Sequence, residues 1–117
     1  MKKILFSIIC TIFISSSIIA TNHTINSGNF YYNPNSLTIE IGDTVTWIND
    51  GGLHNVNFDL NTITGLSFNN PTSFISQPTS AAILYTHVFN VAGTYNYDCS
   101  VGSHAVNGMI GTIIVNQ

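Results

Sequence analysis

The residues with the clearest chemical potential lie in one short segment near the C-terminus, residues 97–109. It contains a thiol, an imidazole and a thioether, at Cys99, His104 and Met109. A thiolate, an imidazole nitrogen and a weakly bound thioether suit copper, with the thioether as the long axial contact of an electron-transfer site. Such a site needs a second imidazole, and His54 is the candidate because strand patterns both precede and follow it. These four residues are the predicted metal ligands.

The chemistry of this donor set can be stated from the side chains alone. A thiolate, not a thiol, binds metal, and free Cys has a pKa of about 8.5, so bound metal must keep Cys99 deprotonated. Two imidazoles and the thiolate define a trigonal plane, and a distant Met109 sulfur imposes neither square-planar nor fully tetrahedral geometry. One copper ion held this way can change between Cu(I) and Cu(II) with little movement of its ligands.

The loop position of His104 predicts that its ring edge lies near solvent, where electrons would leave the site. We expect small or apolar side chains around that edge, namely Leu53, Val101, Ala105 and Val106. Asn55, directly after His54, is the candidate for a hydrogen bond that fixes the Cys99 loop. His23 and His87 do not fit the ligand geometry and are expected on the surface or in the core.

Alternation of apolar and polar residues predicts short β-strands rather than helices around these side chains. Residues 37–41 form one strand, and the Gly42-Asp43 turn separates it from its predicted partner, residues 44–48. Residues 61–80 form a long connection, for which a short helical turn and a loose edge strand both stay open. Further strand patterns cover residues 82–89, 94–99 and 109–115. The predicted fold class is all-β: a Greek-key antiparallel β-sandwich of seven to eight strands.

The same alternation predicts which side chains face the core. His54 shares its side of an extended segment with Val56 and should point inward. Cys99 shares its side with Tyr97, whereas Asp98 lies on the opposite side. Two of the four predicted ligands are therefore expected to enter the core from segments far apart in sequence.

Residues 1–20 have the layout of a secretory signal peptide. A positive start precedes an apolar run from Ile4 to Ile14, and small residues follow. This run is shorter than the roughly 20 residues that a membrane-spanning helix needs. We expect cleavage after Ala20, with Ser17 as the second choice, and an exported domain of residues 21–117 without a membrane span. Its expected location is periplasmic or secreted.

Charge and cysteine usage narrow the function further. Lys2 and Lys3 are the only Lys or Arg residues, so residues 21–117 carry acids and neither of these bases. This composition disfavours nucleic acids and anionic membranes as partners but leaves docking on a basic protein open.

Cys10 lies in the predicted signal peptide, so Cys99 is a single thiol without an internal disulfide partner. In an oxidising compartment such a thiol is reactive, paired between molecules or protected by a metal.

The chain resembles the cupredoxins, and within them the plastocyanin and pseudoazurin group. The residues that carry the resemblance occur in the same order over nearly all of the expected mature domain: 42–47, 54–56, 93–99 and 104–115. The resemblance implies a cupredoxin-like β-sandwich with one type 1 copper ion held at one end by His54, Cys99, His104 and Met109. It also implies a one-electron carrier that is not an enzyme.

The ligand loop departs from the plastocyanin pattern in two places. Four residues separate Cys99 from His104, where plastocyanins commonly have two, and this spacing resembles that of rusticyanin. Asp98 stands where plastocyanins carry a Tyr used as a remote docking point. The resemblance therefore implies copper binding without implying a plant-like partner interface.

Three other classes of function are alternatives to electron transfer. A catalytic metal site needs an open coordination position, which four ligands would close, and a dinuclear copper centre needs a second Cys in the loop. The main alternative is an exported copper carrier or buffer that uses the same ligands without redox traffic. A metal-free secreted sandwich that binds another protein is a third hypothesis. For the electron carrier, we expect a monomer whose redox protein partners dock near His104.

Overall fold

β-Branched and aromatic residues, interrupted by turn formers at short intervals, produce seven strands and no helix in the part of the chain that the structure describes. The structure is a computed structural model, and it describes residues 19–117. The strands are β1 (Asn22–Gly28), β2 (Tyr31–Asn33), β3 (Ser36–Glu40), β4 (Thr44–Asn49), β5 (Ile83–Val88), β6 (Gly93–Asp98) and β7 (Ile110–Asn116). They form two sheets, with the orders β2-β1-β4-β5 and β3-β7-β6. The predicted all-β sandwich is confirmed.

The predicted signal peptide falls almost entirely outside the described residues. Residues 1–18, which include Cys10, are not described, and Ile19 and Ala20 are exposed. Among residues 19–117, no helix is long and apolar enough to cross a membrane.

The strand pairing corrects two details of the prediction. The sheets are mixed and not wholly antiparallel, because β1 pairs with β4 and β3 with β7 in parallel. The predicted pairing of residues 37–41 with 44–48 is wrong, since β3 and β4 lie in different sheets. The turn between them carries the chain from one sheet to the other, and Gly42 takes a φ of 89° that favours glycine there. Alternation predicts that strands form, but it does not determine which strands pair.

The N-terminal hairpin was not predicted. β1 and β2 pair antiparallel, with Gly28 opposite Tyr31, so that Asn29 and Phe30 form the connecting turn. Gly28, at the end of β1, and Asn29, in the turn, are both residue types that favour turns. The hairpin matters for function because it brings Phe30 to the ring of His104.

The core between the sheets contains a cluster of packed aromatic rings. Phe58 stacks on Tyr97 with ring centroids 4.5 Å apart, and Trp47 is fully buried beside both. The Trp47 Nε1–H group donates to the Tyr97 hydroxyl at 3.3 Å, and the Tyr95 hydroxyl donates to the Val91 carbonyl at 2.7 Å. Burial of Tyr95 and Tyr97, together with Cys99, confirms the predicted core-facing side of β6.

The long connection between Asp59 and Ser80 covers the end of the other face of β6, at Asp98, whereas Thr94 and Asn96 on that face stay exposed. In this part of the chain it consists of turns and isolated bridges, without a helix. Asp98 is consequently 1% exposed, although it lies on the opposite side of β6 from Tyr97. Its Oδ1 accepts from Asn57 Nδ2 at 2.7 Å, and its Oδ2 accepts from the Thr62 N–H at 2.8 Å. The alternation of β6 did not reveal that Asp98 is covered.

Candidate metal centre

Three of the four predicted ligands bring their donor atoms together. The Nδ1 atoms of His54 and His104 are 3.2 Å apart. The Sγ atom of Cys99 lies 3.5 Å from Nδ1 of His104 and 4.0 Å from Nδ1 of His54. Among the described residues, this is the group of His, Cys, Asp or Glu side chains whose donors are close enough to share a metal ion.

The spacing of these donors fits a single metal ion. Metal bonds of about 2.0 Å to nitrogen and 2.3 Å to sulfur, diverging at about 120°, separate two nitrogens by roughly 3.5 Å and nitrogen from sulfur by roughly 3.7 Å. The observed separations, 3.2 Å between nitrogens and 3.5 and 4.0 Å to sulfur, lie close to these values. Two imidazoles and one thiolate with this spacing can hold copper in a trigonal plane.

His54 is held in position from three sides. Its ring is fully buried, as predicted, and its backbone exchanges hydrogen bonds with Thr79 at 3.1 and 2.9 Å. Its Nε2–H group donates to the Gly51 carbonyl at 2.8 Å, which leaves the Nδ1 lone pair free for a metal. A Cβ on Gly52 would lie 2.9 Å from Nε2, and the φ of +97° at this position also favours glycine. The Gly51-Gly52 pair therefore allows the close approach of this ring.

Cys99 follows β6 and is fully buried. Its backbone N–H donates to the Met109 carbonyl at 3.1 Å, which ties the two ends of the ligand loop together. Burial raises the pKa of the Cys99 thiol, although backbone hydrogen bonds oppose this shift. The metal-free thiol therefore stays protonated at neutral pH, and a metal ion must displace that proton to bind.

His104 lies in the turns between Cys99 and β7. Its backbone N–H donates to the Val101 carbonyl at 3.0 Å, and its carbonyl accepts from the Met109 N–H at 3.0 Å. Burial lowers the pKa of His104, and the nearby ring of His54 makes a second, smaller contribution in the same direction. The ring is therefore mostly neutral at pH 7, which is the form that binds metal.

Two of the four side chains expected around the His104 ring edge are exposed. Leu53 and Val106 present exposed apolar side chains, with exposed fractions of 49% and 71%. Ala105 is instead buried, and Val101 packs against the core. Sequence reasoning missed Phe30, whose ring centroid lies 4.8 Å from that of His104. The turn formers Gly28 and Asn29 could have indicated the hairpin, but nothing local indicated its contact with His104.

Met109, the predicted axial ligand, is fully buried and belongs to the same core cluster as Cys99. Its carbonyl accepts from the Cys99 N–H, and its N–H donates to the His104 carbonyl. These two bonds hold the Met109 backbone beside both residues, and a thioether is a weak, soft ligand that suits copper.

Asn55 connects the segment of His54 to the loop of Cys99, as predicted. Its Oδ1 accepts from the Ser100 N–H at 2.8 Å, and its Nδ2 donates to Ser100 Oγ at 2.7 Å. The same Nδ2 donates to the Ser76 carbonyl at 3.2 Å. Because Asn55 is fully buried, one side chain joins three segments around the donor cluster.

The other two histidines lie outside the donor cluster, as predicted. Nε2 of His23 is 2.9 Å from an Asp43 carboxylate oxygen. His87 is half-buried, and its ring stacks on Phe74 with centroids 3.8 Å apart. Neither residue contributes a donor to the group formed by His54, Cys99 and His104.

The chain also matches a family model. The model described as copper binding proteins, plastocyanin/azurin family, matches residues 19–116. The chain belongs to this family. Copper is the metal that the family binds, and the donor cluster of this member has the composition and spacing to hold it. The resemblance found in the sequence is thereby confirmed.

Related proteins and solved structures support the same assignment. Plastocyanin of Scenedesmus fuscus is 36% identical over 91 residues, which cover 77% of this chain and 91% of that protein. Chloroplastic plastocyanin of Tetradesmus obliquus is 34% identical over 91 residues, which cover 77% of this chain and 61% of that protein. Among solved structures, the Cu(I) form of an amicyanin variant has a TM-score of 0.63 at 26% identity, covering 85% of this chain and 86% of that one.

Proposed function

We propose that this member of the plastocyanin/azurin family carries single electrons through one type 1 copper ion held by His54, Cys99, His104 and Met109. The observation that carries the proposal is the convergence of His54 Nδ1, Cys99 Sγ and His104 Nδ1 at separations of 3.2 to 4.0 Å. Bound copper supplies the one-electron change between Cu(I) and Cu(II). A closed set of four ligands leaves no position for a substrate, so the protein is not proposed to be an enzyme.

The chain holds these ligands so that they need not move when an electron arrives or leaves. The Gly51 carbonyl fixes the ring of His54, and Asn55 fixes the loop that follows Cys99. Cys99 and Met109 are fully buried, so packing also restrains them. A site preorganised in this way changes oxidation state with little rearrangement, which favours fast electron transfer.

Electrons are proposed to enter and leave by way of His104, the ligand that is only half-buried. Exposed apolar side chains occur at Phe30, Leu53 and Val106, with exposed fractions of 39%, 49% and 71%. An apolar surface of this kind favours brief contacts with another protein. The proposed partners are redox proteins that dock near His104, and the carrier itself is proposed to be a monomer.

The proposed domain organisation is a signal peptide of residues 1–20 followed by a copper domain of residues 21–117. The domain would act after export, in a periplasmic or secreted location. Two arguments support this proposal: the signal-peptide layout of the N-terminus, and a single free thiol that metal would protect in an oxidising compartment.

Voltammetry of the copper-loaded protein tests the proposal. The full chain is exported from a host, the product is loaded with copper, and oxidation and reduction are recorded. A carrier should show a reversible one-electron couple and keep copper in both oxidation states. Copper loss on oxidation, or the absence of a reversible couple, would contradict electron transfer and favour the copper carrier or buffer. The variant His87→Gln is the matched control, since His87 lies outside the donor cluster and its replacement should leave the couple unchanged.

A further inference from the structure

The buried carboxylate of Asp43 accepts a hydrogen bond from the backbone of Thr21, the first residue after the predicted cleavage point. The N–H group of Thr21 donates to Asp43 Oδ1 at 2.9 Å. Asp43 lies in the turn between β3 and β4 and is only 3% exposed. Its second oxygen accepts from the Glu40 N–H at 3.0 Å and lies 2.9 Å from Nε2 of His23. The metal centre uses none of these residues.

The hydrogen-bonded ladder of the first sheet begins at this same residue. The Thr21 carbonyl accepts from the Thr44 N–H at 3.0 Å, and β1 starts one residue later, with Asn22 opposite Thr44. By contrast, Ile19 and Ala20 are exposed, and Ile19 has an exposed fraction of 81%. The Ala20–Thr21 peptide bond therefore lies between exposed chain and paired chain, where a protease can reach it.

We propose that cleavage after Ala20 creates an N-terminal ammonium group on Thr21 that pairs with the carboxylate of Asp43. A peptidase of the export machinery hydrolyses the Ala20–Thr21 amide bond. Water supplies the hydroxyl that completes the new carboxyl group of Ala20, and the nitrogen of Thr21 takes up protons to become the ammonium. The proposal requires export of the chain but no copper, so its success or failure is independent of the proposed electron transfer.

Cleavage strengthens an interaction that the chain already makes. The nitrogen atom is the same before and after hydrolysis, but a neutral amide donor becomes a cation with three N–H groups. Hydrogen bonds between ionised partners are roughly twice as strong as neutral ones. Asp43 is ready to accept the cation, because hydrogen bonds from Thr21, Glu40 and His23 lower its pKa to about 2 and keep it ionised.

The position of the cut decides whether this pair forms. Cleavage after Ser17 would leave Ile18, Ile19 and Ala20 in front of Thr21, whose nitrogen would remain an amide. Only cleavage after Ala20 places a charged amine opposite Asp43. The titratable side chain in contact with this carboxylate is His23 on β1, whereas Glu40 at the end of β3 contacts it through its backbone N–H.

Intact-mass measurement of the exported product tests the cut. Expression of the full chain in an exporting host should give a product that begins at Thr21. A product that begins at Ile18 would overturn the proposal, because its Thr21 nitrogen carries no charge.

The chain permits a direct measurement of the ion pair. Lys2 and Lys3 are the only lysines, so the processed chain has a single primary amine, the α-amino group of Thr21. Its rate of acetylation by acetic anhydride, measured against pH, reports the pKa of that group. A free α-amino group has a pKa of about 7.7 to 8.0, and a partner carboxylate raises it. Each unit of increase slows acetylation near pH 7 by about tenfold.

The variants and the unfolded protein provide the comparison. Acetylation of the native protein should be at least several-fold slower than that of the protein unfolded in guanidinium chloride. Asp43→Asn should restore most of the lost rate, whereas Glu40→Gln, which alters a neighbouring exposed carboxylate, should leave the amine protected. Equal rates in the native and unfolded protein would overturn the ion pair. The comparison of native with unfolded protein tests the ion pair even if Asp43→Asn does not fold.

Discussion

The substitution Asn55→Ala removes the side chain that joins three segments around the donor cluster. Asn55 makes three side-chain hydrogen bonds, two with Ser100 at 2.8 and 2.7 Å and one with the Ser76 carbonyl at 3.2 Å. Alanine keeps the backbone and makes none of these bonds. The loop after Cys99 would then lose its hydrogen bonds to Asn55, while the backbone bridge between Asn57 and Asp98, just before Cys99, would remain.

The expected loss of stability follows from these contacts. A net contribution of about 1 kcal/mol from each hydrogen bond gives about 3 kcal/mol for the three. With a urea m-value of about 1.5 kcal/mol/M, the unfolding midpoint should fall by about 2 M. Copper affinity should fall by about 10- to 100-fold, as is typical when a residue that orients metal ligands is lost.

Urea unfolding of the metal-free protein and competition with a copper chelator measure the two effects separately. Asn107→Ala is the matched control, because Asn107 is exposed in the same loop and donates to Ser103 Oγ at 3.2 Å. We expect the control to change stability by less than about 0.5 kcal/mol. If Asn55→Ala matched this control in both assays, Asn55 would not be what joins the two ligand segments.

Three further outcomes follow from the structure. Met109→Leu should keep the fold and the copper while raising the reduction potential in voltammetry, because it removes a weak donor to oxidised copper; complete loss of metal would contradict an axial role. Asp98→Ala leaves the donors of Asn57 and Thr62 without their acceptor and should cost about 2 to 4 kcal/mol in urea unfolding, with an unchanged midpoint as the contrary result. Because hydrogen bonds lower the pKa of Asp43 to about 2, its carboxylate stabilises the fold above about pH 4, and this stabilisation is lost as the pH falls towards 2. Asp43→Asn should therefore flatten the acid side of the stability profile, and an unchanged profile would refute this.

Local sequence signals were sufficient for the strands and for the donor cluster. Alternation located β3 through β7, because each strand buries one face and exposes polar residues on the other. Those strand patterns also gave the inward direction of His54 and Cys99. The predicted ligands could be recognised because a thiol, an imidazole and a thioether occur within one loop, which is a rare combination of side-chain types.

The rest depended on contacts between segments far apart in the chain. The parallel pairs β1–β4 and β3–β7 join strands separated by other elements, and alternation does not specify a partner. Burial of Asp98 depends on the connection that begins at Asp59, and the position of Phe30 against His104 depends on the N-terminal hairpin. In each case the outcome was decided by which segments pack together.

The visible absorption spectrum tests the proposed copper site most directly. The exported protein, loaded with Cu(II), should show an intense band from charge transfer between the Cys99 thiolate and copper. Cys99→Ser should abolish this band and greatly weaken copper binding, because an alcohol does not replace a soft thiolate. His87→Gln should retain the band. An intense colour that survives in Cys99→Ser, or a colourless protein with Cu(II) bound, would contradict the proposed site.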